Sequence, residues 1–155
     1  MSLRDRLAAK QRRRVVVSVE VAPMGDDQSA RVVAAQTAYL AALTKGEDGD
    51  ALRDAVEAAQ GENRVDVGFT ACEDDVFEKV AARYPAQDGA DGGFDWHAAL
   101  PVVAALCADD EDLQDDEWWA EQFESGTWGH GEKLALWQEL LALNTARPAA
   151  HIPKG

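Results

Sequence analysis

The chain is poor in the residues that staple or span. It has two cysteines in 155 residues, Cys72 and Cys107, with no C-x-x-C pair and no histidine beside either at metal-ligand spacing. They read as small buried hydrophobes of a reducing compartment, although the spacing leaves a disulfide open. The apolar run VVVSVEVA after the basic N-terminus is short and lacks a cleavage pattern, so no signal peptide is expected. No run reaches the length of a membrane span, which points to a cytosolic protein.

Basic residues are scarce beyond the first fourteen positions. Residues 1–14 hold six bases against Asp5, a balance of +5, so the remainder carries −19 of a net −14. Between Asp109 and Glu124 there are nine acids and no base. A surface of that sign repels nucleic acid, which excludes most nucleic-acid enzymes. The basic arm 1–14, with only Leu3 and Leu7 to hold it down, is expected to be an exposed helix able to touch an acidic partner.

Catalytic signatures are also missing. His97, His130 and His151 fall in no H-E-x-x-H pattern, no Ser or Cys sits in a nucleophile elbow, and no glycine-rich phosphate loop follows a strand. His130 and Glu132 in GHGE read as ordinary surface chemistry. DGADGGFD (88–95) has the acids and glycines of a calcium loop, but Gln87, Gly89 and Ala98 stand where ligands should be, so a solvated loop is expected. No enzyme, cofactor or metal is expected.

What the chain does have is tryptophan. Four of its five lie in residues 115–144, DDEWWAEQFESGTWGHGEKLALWQELLALN. Trp119 and Phe123 are one helical turn apart, and Leu134, Trp137, Leu140 and Leu141 follow the helical period. ESGTWGHGE breaks the pattern with Gly126, Gly129 and Gly131. The segment is therefore expected to be a helical hairpin with an aromatic inner face. Adjacent helical positions point about 100° apart, so Trp118 and Trp119 cannot share one core, and Trp118 or Trp128 is expected at the surface. Asp115, Asp116 and Glu117 suit the positive end of the helix that follows.

The rest of the chain alternates patterns. Residues 15–21 read as a strand with Val17, Val19 and Val21 on one face, and 64–69 as a second with Val65, Val67 and Phe69. Between them lies a helical hairpin over 27–60. Its first helix carries Val32, Tyr39, Leu40 and Leu43; its second is capped by Asp50 and Gly61 and carries Leu52, Ala55, Val56 and Ala59. Thr70-Ala71-Cys72-Glu73 fits a capping box ahead of Val76, Phe77, Val80 and Tyr84, with Pro85 as the stop. Pro101 suits the first turn of a short helix burying Val102, Val103, Leu106 and Cys107, with Trp96 anchoring the loop before it. The expected fold is α+β: a mainly helical domain over 15–144 with a small two-stranded antiparallel sheet, and a flexible tail over 145–155.

This order of features, with the MSLRDRLAAKQRRRVVV start, DEWWAEQF, the glycine turn with its tryptophan and the terminal LALWQELLALN, resembles the tail assembly chaperones of long-tailed, siphovirus-type phages of actinobacteria. The resemblance implies a cytoplasmic protein, absent from the mature virion, that binds the tape measure protein and keeps it soluble while tail-tube subunits polymerise around it. On that reading Trp118, Trp128, Phe123 and Trp137 supply the partner-binding face, many weakly bound copies act along one client through multivalency, and self-association is open as well. It also implies a longer frameshifted product that recruits tube subunits; Ile152-Pro153-Lys154 can be encoded by C CCA AAG, a heptamer that permits a backward slip. The rival readings are an acidic inhibitory or DNA-mimic protein and a structural adaptor.

Overall fold

In a computed structural model, the chain is described at residues 1–73, 75–86 and 94–145. Residues 87–93 of the expected solvated loop and the tail beyond Thr145 lie outside those residues. The elements run α1 (Leu3–Ala8), β1 (Arg14–Glu20), α2 (Asp26–Thr44), α3 (Asp50–Gln60), β2 (Arg64–Thr70), α4 (Val76–Arg83), α5 (Trp96–Cys107), α6 (Asp116–Glu124) and α7 (His130–Thr145). β1 and β2 form a two-stranded antiparallel sheet, and the fold is α+β and mainly helical. The chain forms two compact units, residues 18–66 and residues 1–17 with 67–155.

In the first unit α2 packs along α3. The turn between them depends on glycine twice. Gly46 has φ +71°, and a Cβ on Gly49 would stand 2.8 Å from Cε2 of Tyr39. The buried face of α2 is Gln28, Val32 and Ala42, with Tyr39 partly covered, while Leu40 and Leu43 lie 61% and 48% exposed. The expected stripe was thus rotated: the buried positions recur at 28, 32, 39 and 42, nearer the seven-residue period of two helices in contact. Asp50 is the first residue of α3 rather than its cap; Gly49 occupies that position, and Asp48 accepts the Asp50 amide at 3.0 Å. Buried Gln28 closes the unit, donating to the Ala59 carbonyl and to Asn63 Oδ1, each at 2.9 Å.

The second unit is built around α5. Ala99, Leu100, Val103, Ala104 and Cys107 are at most 1% exposed, and α4, α6 and α7 all pack on this helix. A helix apolar on nearly every side is one that others cover. It starts at Trp96, five residues before the proline, because Asp95 accepts the Ala98 amide and caps it. Pro101 therefore lies inside the helix, where it leaves the His97 carbonyl without its usual donor. Leu106, expected in the core, is 48% exposed.

Two further expectations are corrected here. Val21 falls after β1 and is 62% exposed, and Val65 is 47% exposed, so the covered strand positions are Val15, Val17, Val19, Val67 and Phe69. Thr70 does not cap α4. It ends β2 and donates to Asp109 Oδ1, while Glu73 faces Arg12 at 3.9 Å and α4 begins after Asp75. Ala108 pairs with Phe69 as an antiparallel bridge, and the Asp109 amide donates to the Gly68 carbonyl at 3.0 Å. That second partner for β2 outcompeted the box for Thr70.

Candidate functional site

Asp115 opens α6 by accepting the amides of Glu117 and Trp118 at 3.1 and 3.2 Å. Asp116 and Glu117 complete an acidic first turn, where the helix dipole favours negative charge. The cap fixes the rotation of α6 and with it the fate of the Trp118-Trp119 pair. Trp119 is 2% exposed and its Nε1 donates to the Leu113 carbonyl at 2.7 Å. Trp118 points elsewhere and stays 38% exposed.

Trp119 is the hub of one aromatic cluster. Its ring lies 6.3 Å from Phe69, 5.1 Å from Trp118, 5.5 Å from Phe123 and 6.3 Å from Trp128. Trp128 also meets Phe123 edge-on at 5.1 Å, so the turn between α6 and α7 folds its aromatic back onto α6. Gly126, φ +86°, makes that reversal; Gly129 and Gly131 have no such φ. Glu132 accepts the Gly129 amide at 3.1 Å.

A second cluster surrounds Trp137, 4% exposed, with Phe77 at 6.1 Å, Phe94 at 5.4 Å and Trp96 at 6.4 Å. His97 stacks on Trp96 at 3.7 Å, and His130 lies 5.3 Å from His97. The four aromatics singled out from the sequence are therefore divided. Trp118, Trp128 and Phe123 gather at α6, Trp137 belongs to the other cluster, and Phe123 and Trp137 are buried. Only Trp118 and the uncovered edge of Trp128 offer surface to a partner.

The same helix edges a cleft of about 470 Å³ lined by Val102, Ala105, Leu106, Gln114 and Asp116. Its lining sets the apolar Val102, Ala105 and Leu106 beside the polar Gln114 and Asp116. Leu106 went unrecognised as surface because its neighbours in sequence are all core. The first unit has a comparable feature: Val33, Leu40 and Leu43, 61%, 61% and 48% exposed, recur on one side of α2 at helical spacing. Among the described residues no group of three or more His, Cys, Asp or Glu is placed to hold a metal ion, and no helix is long and apolar enough to cross a membrane. Compared with known families, curated proteins and solved structures, the chain finds no match in any of the three.

Proposed function

We propose that the protein is a tail assembly chaperone that holds helical segments of a tape measure protein on the α5–α6 face. The observation that carries this reading is Trp118, left 38% exposed on a helix that buries its immediate neighbour. An exposed tryptophan gives a partner large contact area at little entropic cost, and aromatics are enriched at interface centres. The cleft beside Asp116 and the leucine stripe of α2 supply further apolar surface of the kind an amphipathic helix covers. The net charge of −14 keeps such a surface soluble between encounters. Each contact is small, so affinity comes from many copies along one long client.

Co-expression with the tape measure protein is the direct test. Wild type should co-purify with it and hold it in the soluble fraction. Trp118→Ala should keep its helical circular dichroism and lose most of the co-purification. A Trp118→Ala chain that is folded and still retains the client would overturn the proposal.

The acidic run 109–124 favours a second reading, a protein that competes for a basic partner by charge. The two readings differ in salt response. Charge mimicry weakens steeply between 50 and 200 mM salt, roughly as nucleic-acid binding does, whereas an aromatic contact persists.

A further inference from the structure

The two cysteines, 35 positions apart in sequence, meet in space. Cys72 Sγ and Cys107 Sγ are 3.4 Å apart, both thiols are free, Cys107 is 1% exposed and Cys72 is partly open to solvent. Asn144 of α7 holds the pair: its Oδ1 accepts the Cys72 amide at 2.8 Å and its Nδ2 points at Cys107 Sγ from 3.6 Å. On the open side Arg12 donates to the Ala71 carbonyl at 3.0 Å, which brings a guanidinium beside Cys72. We propose that Cys72 and Cys107 form a thiol–disulfide exchange site that accepts a low-molecular-weight disulfide at Cys72 and resolves it, through Cys107, to an intramolecular disulfide. The inference is independent of the client reading above.

The roles follow from access. A small disulfide can reach Cys72 but not Cys107. Cys72 passes its proton to the Cys107 sulfur and attacks one sulfur of the incoming disulfide, forming a mixed disulfide and expelling one small thiolate. Cys107 then gives that proton to the first expelled thiolate and attacks Cys72 Sγ, expelling the second small thiolate, which is protonated by the proton the pair had released to water. In sum two protein thiols are oxidised by two electrons, and one small disulfide is reduced to two thiols. The sulfurs need close by only about 1.4 Å to reach bonding distance, which side-chain rotation supplies. A reactive thiolate needs donors around it, and Cys107 has two, the Cys72 thiol and the Asn144 amide. Donation from Cys72 and from the Asn144 amide lowers the Cys107 thiol to about 7, while the shared proton holds Cys72 high.

The bond would join the exit of β2 to the end of α5, closing a loop that contains α4 and most of the core helix. Chain entropy for a loop of that length, with the usual size scaling, gives a rise in Tm of up to about 10 °C.

Incubation of the native full chain with glutathione disulfide, followed by intact-mass and peptide-mass analysis, tests the site. Wild type should pass through a transient single adduct and end with the loss of two hydrogen atoms, the crosslink mapping to Cys72 and Cys107. Cys107→Ser should stop at a stable adduct on Cys72. Cys72→Ser should stay unmodified until unfolded. The first step should accelerate as pH rises through about 7, where the pair loses its first proton. Asn144→Ala should shift the pH profile of the second step upward, a change that mere loosening of α7 would not produce. The proposal is overturned if folded wild type takes up no glutathione, if its adduct accumulates without closing, or if the adduct forms first on Cys107. All three outcomes are read on the unmutated chain, so a variant that fails to fold leaves the test intact.

Discussion

At the scale of single residues, large apolar side chains have opposite fates here. Leu140 is fully buried, and truncation to alanine should cost about 2–5 kcal/mol through lost transfer energy and the cavity left behind. Trp118→Ala removes a larger side chain from a surface position and should cost below about 1 kcal/mol. Urea denaturation of the two variants checks the contrast; similar losses would place Trp118 in the core. Gly68 gives a second case. A Cβ there would run into the Arg14 guanidinium and the Asp109 carboxylate, which are paired with each other across β2. Gly68→Ala should therefore displace the same pair that Asp109→Asn removes. Both ends are partly solvated, so each substitution should cost below about 1 kcal/mol from the pair itself. The two losses should be clearly less than additive in a double-mutant cycle, since both act on one interaction.

At the scale of elements, α5 is the organising helix of its unit, and it contains its own defect. Pro101 sits at its sixth position and withholds an amide from His97. Pro101→Ala should restore that hydrogen bond and stabilise the protein by roughly 1 kcal/mol, the unfolded chain's gain in freedom offsetting part of the benefit. Hydrogen exchange on α5, slowed further in the variant, is the measurement; unchanged or faster exchange would mean the proline is shaping the helix to its neighbours. The expected hairpin of α6 and α7 also changes meaning at this scale. Both helices were legible from period and breaker, but each packs chiefly on α5, so the aromatic face of the pair points inward to a third helix. Period says which side of a helix is apolar and not what lies against it.

At the scale of the whole molecule, acid should unfold the protein from a definite side. Hydrogen bonds from Ser2, Arg31, and Thr70 with Arg14 hold Asp5, Glu62 and Asp109 below their ordinary values of 3.8, 4.5 and 3.8. Each carboxylate is more acidic folded than unfolded, so its contribution is complete above the ordinary carboxylate range. It is lost as pH falls through the depressed values. The net charge of −14 acts oppositely, because the first protons taken up relieve self-repulsion. The urea midpoint should hold or rise slightly from pH 7 to about 5 and then fall below about 4. A midpoint falling monotonically from pH 7 would show that other groups dominate.

Local patterning along the chain carries the α+β class, the strand-hairpin-strand order, the acid-capped start of α6 and the division of the Trp118-Trp119 pair between surface and core. These are local consequences of period, caps and glycine, which neighbouring residues decide among themselves. Tertiary structure decided the rest. It rotated the buried face of α2 toward α3 and left Leu40 and Leu43 outside, because the partner helix, not the leucine count, selects the face. It took Thr70 from the expected cap to serve Asp109, a residue 39 positions away. It brought Cys72 to Cys107 and placed Asn144 between them, a meeting of three distant segments that no spacing in the chain encodes.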